Sequence, residues 1–152
     1  MNWKIIVVGG LLFFVGTWLI GPITGPLIHE GVLADTYQAT STFWRPELNE
    51  KPPNMAALLP LWISTGLVSA FLLAGIYAVV RRSFSGAGWL RGLKYGVVLT
   101  LFAITFMLAY SGIFNLPYNI WAWWAVETTA SMLLGGVLLG WVAEKLAPVA
   151  SS

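Results

Sequence analysis

No charged residue stands between Lys4 and Glu30, and that gap is the first of four in this chain. The apolar runs cover about residues 5–28, 55–80, 90–113 and 118–142. A helix rises about 1.5 Å per residue and a bilayer core is about 30 Å thick, so about 20 apolar residues span it. Each run is long enough. A barrel strand would be shorter and would alternate apolar with polar residues, so helices are the spanning form. The rest of the composition agrees. The chain is 58% hydrophobic and 9% charged, whereas a soluble domain carries about 25% charged residues to coat its surface. The predicted fold is therefore an all-α membrane protein: one domain, residues 1–152, of four transmembrane helices joined by an outer loop at about 29–54.

Several function classes drop out. The net charge is +2, with no basic cluster to suit nucleic acid. No cysteine is present, which removes disulfides, thiolate metal sites and thiol catalysis. The single histidine, His29, cannot supply paired haem ligands. No phosphate loop and no nucleophile–base pattern is visible. The expectation is a non-enzyme with no cofactor and no metal.

Pro22 and Pro26 are expected to kink the first span, because each removes a backbone donor and crowds the preceding turn. The span ends near Ile20 or continues, bent, to about Ile28. Met1-Asn2-Trp3-Lys4 and the following run have the start of a leader, but no small-residue cleavage pattern lies near 20–26, so an uncleaved span is expected. The tail after Leu146 is expected to lack regular structure.

Orientation follows from the cations. With four spans, Lys4, Arg81, Arg82, Arg91, Lys94 and Lys145 share one side, while Arg45 and Lys51 take the other. The positive-inside rule places both termini in the cytoplasm. Aromatic residues mark two boundaries. Trp44, Trp62, Tyr118, Trp121, Trp123 and Trp124 lie at the outer one, and Trp3, Trp89, Tyr95 and Trp141 at the inner.

Gly92 and Gly96 form a GxxxG in the third span, and Gly136 and Gly140 form one in the fourth. Small residues let helix backbones approach in lipid, so these pairs are predicted to pack the bundle. Glu127 is the only charge in 118–142. Together with Ser131 and Gly135 it falls on one helix face, which should point into the bundle or at a partner. A charge at such depth costs about 2.5 kcal/mol or more unless it is paired or hydrated. Three states are open to it: protonated and bonded to Thr128, Ser131 or a carbonyl; ionised and paired, with Arg45 the best donor; or in contact with another subunit or a small cationic ligand. The first, a helix-holding role, is favoured.

In the loop, Pro26 can open an interfacial helix from Leu27 to about Thr40. Leu27, Ile28, Val32 and Leu33 would face the membrane, with Glu30 and Asp35 facing water. Trp44-Arg45-Pro46 then turns the chain, with Trp44 at headgroup level. If the first span bends, His29 comes near Glu127. With Glu30 that would give a histidine and two carboxylates, able to hold a divalent metal or relay protons. The plainer reading is a satisfied interfacial histidine. Trp121, Trp123 and Trp124 read as an interfacial belt or as a lid over an apolar ligand, the belt being the plainer.

The chain carries Leu27-Ile28-His29-Glu30-Gly31, Tyr37-Gln38-Ala39-Thr40, Trp44-Arg45-Pro46-Glu47 and Gly92-Leu93-Lys94-Tyr95-Gly96. In these motifs the sequence resembles a group of small bacterial four-helix integral membrane proteins. That group has a Leu-Ile-His-Gly turn, a Tyr-x-Ala-Thr and Trp-Arg-Pro-Glu loop and a Gly-Leu-x-Tyr-Gly third span. This chain departs by Glu30 after the histidine and by a longer segment from Leu48 to Asn54. The resemblance implies the architecture and a bacterial cytoplasmic (inner) membrane, and it implies no activity. The function expected is an accessory or assembly subunit of a larger membrane complex, its partners being the bilayer and other membrane subunits or itself. The alternative is a small-solute or apolar-ligand carrier with its site near Glu127.

Overall fold

A computed structural model describes residues 2–149. Four helices are long and apolar enough to cross a membrane: α1, Ile5–Val32; α3, Met55–Val80, extended by a 3-10 turn to Ser83; α4, Gly88–Ser111; and α5, Tyr118–Leu146. A short helix α2, Ala34–Ala39, lies in the outer loop, followed by 3-10 turns at Ser41–Phe43 and Pro46–Leu48. The architecture is the expected all-α four-helix one. The span ends differ. The first runs to Val32, the third covers Gly88–Ser111 rather than 90–113, and the fourth continues to Leu146. The third stops early because Gly112 closes it, its N–H bonding the Ala109 carbonyl at 3.3 Å.

Local signals fix the ends. The Asn54 side chain accepts from the Ala57 N–H at 3.2 Å and caps α3. Pro60 falls early in α3 and is absorbed. Gly86 takes a φ of +105° in the tight α3–α4 turn, a conformation open to glycine. Asn2, Arg81 and Ala147 line one hollow, so both described ends and this turn share one end of the bundle.

α1 lies between α3 and α5, and α4 packs on α5. The α4–α5 seam is the tightest. A Cβ on Gly96 would stand 2.5 Å from the Met132 carbonyl oxygen, and one on Gly136 would stand 2.5 Å from the Gly92 oxygen. Gly92 and Gly140 are equally closed, against Gly136 and Gly88. The two GxxxG pairs therefore clasp each other inside one chain, as the close approach of small residues in lipid requires. Gly16 of α1 meets Gly135 of α5 in the same way, its Cβ position 3.1 Å from the Gly135 Cα.

Packing toward the end with the termini adds Ile5, Phe13, Ala74, Tyr77, Tyr95 and Leu139. Tyr95, expected in the inner aromatic belt, is instead core. It is 2% exposed, it lies beside Tyr77, and its hydroxyl donates to the Leu73 carbonyl at 2.8 Å. A phenol can leave the interface when a partner for its O–H is buried with it. Trp3, Trp89, Trp141 and Tyr118 are exposed, as belt residues would be. In the half away from the termini the helices separate. From Leu101 to Ser111 no α4 residue is buried, and in the first ten residues of α3 only Leu58 is.

Candidate functional site

Glu127 sits in α5, nine residues after Pro117–Tyr118 opens that helix, and it faces α1 rather than lipid. The distortion of α1 determines what it meets. Pro26 has no N–H, so the bond that would run from residue 26 to the Pro22 carbonyl is missing. The helix survives by widening: Gly25–Val32 is π-helical, with the Leu33 N–H bonded to the Ile28 carbonyl at 2.8 Å. In a π-helix residues five apart come into line. Thr24 and His29 are five apart, and both reach the Glu127 carboxylate. The Thr24 hydroxyl donates to Oε1, and His29 Nε2 stands 3.0 Å from Oε2. The expected bend at Pro22 and Pro26 is thus a widened helix, preceded by a short break at Leu19–Ile20.

The other imidazole nitrogen continues the network. His29 Nδ1 lies 2.8 Å from the Tyr37 hydroxyl oxygen, which accepts from Trp124 Nε1 at 2.8 Å. Trp124 can only donate and an ionised Glu127 can only accept, so the two ends set the direction of the chain. With a neutral imidazole protonated on Nε2, every link is filled once: Trp124 N–H to Tyr37, Tyr37 O–H to Nδ1, Nε2–H to Glu127. Trp44 braces Tyr37 by donating to the Tyr37 carbonyl at 3.2 Å and to the Thr40 hydroxyl at 3.0 Å. The rings of Tyr37 and Trp44 meet edge to face at 5.2 Å, and those of Trp44 and Trp124 at 5.9 Å. Asn119 donates to the Thr36 hydroxyl at 3.0 Å and makes a second tie between α2 and α5. Beneath lie Ile28, Leu33 and Ile120, all buried.

Burial pushes the Tyr37 phenol above its usual value of 10.0, the Trp124 N–H draws it partly back, and the Glu127 charge raises it again. Tyr37 is a neutral O–H donor across the physiological range. Chemically the arrangement can hold a carboxylate ionised in a half-buried position and can pass a proton along a row of three side chains. With side chains 36% and 24% exposed, His29 and Glu127 are partly wet rather than sealed.

Several expectations are corrected. Arg45 does not reach Glu127; it pairs with Glu47 at 3.3 Å, two residues along the same exposed turn. Glu30 is exposed, because the π turn aims His29 inward and its neighbour outward. His29 and Glu127 therefore form a pair with no third ligand, and no group of three His, Cys, Asp or Glu side chains exists among the described residues. Ser131 is half-buried on the Glu127 face but is no partner of the carboxylate, while Gly135 on that face meets Phe13 of α1. Trp44 is folded over Tyr37 and Trp124. Of the four residues assigned to the membrane side of the loop, Leu27 and Val32 are exposed, while Ile28 and Leu33 are buried in the protein. An α-helical wheel misplaces them because the segment is π-helical. Thr24, Thr36 and Asn119 carried no sequence signal, since single polar residues near a helix end are common.

The fold and this clasp define a class: a multi-pass α-helical membrane protein whose first connecting loop is tied down by polar and aromatic side chains. Comparison with protein-family models, with curated proteins and with solved structures gives no match.

Proposed function

We propose that the protein is a non-enzymatic subunit of a larger membrane assembly, held in a bacterial cytoplasmic membrane with both termini in the cytoplasm. The observation that carries this reading is the contrast between a satisfied carboxylate and unpaired helices. Glu127 is bonded by Thr24 and His29 of its own chain, which leaves it little call for a ligand. The outer halves of α3 and α4, in contrast, stand apart with Leu61, Ile63, Leu101, Phe102, Phe106 and Leu108 exposed. Helices of another membrane protein can fill that space at the packing density of a bundle. The resemblance to small bacterial four-helix proteins supports the setting, and the cation count supports the orientation.

The test is purification in gentle detergent followed by mass spectrometry of whatever co-elutes in stoichiometric amount. A stable membrane partner that crosslinks to a photoreactive residue at Phe106 is the expected result. A lone monomer or homo-oligomer would overturn it. Orientation is checked separately. A Ser83→Cys thiol should resist an impermeant reagent on intact cells, and a Glu50→Cys thiol should react.

A second reading, an apolar-ligand carrier, draws on one specific feature. A hollow of about 290 Å³ is lined by Phe43, Trp44, Tyr110, Phe114, Leu116, Trp121 and Trp124. Trp124 links it through Tyr37 and His29 to Glu127. Saturable quenching of tryptophan fluorescence by a brominated apolar ligand, lost in Trp121→Ala, would favour this reading.

A further inference from the structure

At the opposite end of the bundle from Glu127, Arg81 is 7% exposed, which is unusual for an arginine. Its Nη1 donates to the Ala143 carbonyl at 3.1 Å, and it makes no other side-chain bond. No carboxylate of the described residues lies within 4.0 Å of it. The nearby Glu144 is taken by Arg91 at 2.8 Å. A guanidinium carries five N–H donors, so most of its capacity is unspent. Those donors are not sealed in protein. Among the described residues only Glu47 Oε2 and Trp121 Nε1 are enclosed polar side-chain atoms without a partner. Arg81 lines a hollow of about 460 Å³ together with Arg82, Asn2, Ile5, Ala78, Val79 and Ala147.

Two cations and an amide are therefore set in one concavity whose other walls are apolar and whose lining, among the described residues, holds no acid. Val79 is 67% exposed and Ile76, one turn away, is 52% exposed, so an apolar strip leads from the hollow along the outside of α3. We infer that this hollow binds the phosphate of an anionic phospholipid, with Arg81 and Arg82 on the phosphate oxygens and the acyl chains along Val79 and Ile76. Guanidinium suits a phosphate because its fork matches two oxygens at once. A basic pocket between helices at the positive end of the spans is where lipid headgroups bind. The apolar strip assigns the source as lipid rather than free phosphate, because a soluble anion would leave the strip unused.

The test uses the full chain in a mild neutral detergent, with binding read by native mass spectrometry and by thermal unfolding. Phosphatidylglycerol, phosphatidylcholine, inorganic phosphate and glycerol 3-phosphate are the probes. Phosphatidylglycerol should bind and raise the unfolding temperature, phosphatidylcholine should not, and the two soluble phosphates should fail at the same concentration. Arg82→Gln, an exposed position, should weaken phosphatidylglycerol binding about fivefold. Arg81→Lys should weaken it more, because an ammonium keeps the charge and loses the fork. Lys94→Gln, whose amine bonds Ser85 outside the hollow, should leave binding unchanged. Equal binding of both lipids, or unchanged phosphatidylglycerol binding in Arg82→Gln and Arg81→Lys, would overturn the site. Binding of the soluble phosphates as tight as that of the lipid would overturn the assignment to lipid.

Discussion

The two ends of this bundle are held by opposite means. At the end with the termini and at the centre, glycines remove side chains altogether, so that α4 and α5 touch backbone to backbone through Gly92, Gly96, Gly136 and Gly140. At the Glu127 end the helices part, and order comes from a few long side chains: Glu127, His29, Tyr37, Trp124 and Trp44. Glycine contacts have no freedom to adjust and depend on shape alone. The polar clasp depends on direction and can be loosened one bond at a time. Close packing suits a seam that must not open, and a row of bonds suits a loop that must dock on a helix already in place.

The most damaging change is expected at the seam. Gly136→Leu would drive a side chain into the Gly92 carbonyl and should cost at least about 3 kcal/mol, with loss of folded protein in detergent. Gly75→Leu, where a Cβ meets nothing within 4 Å, should be nearly silent. Comparable melting of both variants would mean that the glycines do not close the α4–α5 seam. Next comes the clasp. Glu127→Leu strands His29 Nε2, while the Thr24 hydroxyl keeps the Ile20 carbonyl at 3.1 Å; it should cost about 1–2 kcal/mol, while Glu127→Gln keeps an acceptor and should be tolerated. If both variants unfold at the same temperature, the carboxylate holds nothing together. A smaller loss, about 0.5–1.5 kcal/mol, is expected for Tyr37→Phe, with faster proteolysis within 33–54 and no change in the α4–α5 seam.

The smallest effect is one of pH. Because the Tyr37 phenol is raised above 10.0 when folded, its contribution to stability is whole below pH 10 and fades as the pH climbs through the folded value. A difference spectrum of wild type against Tyr37→Phe should show this phenolate forming only above pH 10.0. Ionisation at or below that pH would mean that Tyr37 is not buried in the clasp.

Much of the frame was legible beforehand. Apolar run length defined the four helices, because a bilayer leaves few alternatives. Both GxxxG pairs were visible as small-residue motifs, and they lie in the α4–α5 seam. The approach of His29 to Glu127 was also visible, given a bend at the prolines. What escaped was direction. A wheel drawn at 3.6 residues per turn turned Leu27 and Val32 to the same side as Ile28 and Leu33, and it hid the alignment of Thr24 with His29. Arg45 was the obvious donor by charge, but the turn that carries it supplies Glu47 closer at hand. Arg81 gave no signal, because burial of one cation at a helix end depends on how the neighbouring helices close around it.

The π-helical run Gly25–Val32 also sets what kind of variation this region can absorb. It spends more residues on each turn than an α-helix does, so it has slack. Losing one residue there, Glu30 for instance, can be taken up by rewinding the segment as ordinary α turns, and the span would still cross. The aim would not survive, because rewinding swings Thr24 and His29 apart on the helix surface. The segment is therefore forgiving of length and strict about phase: a shortened chain would insert and fold, and it would leave Glu127 to find another partner.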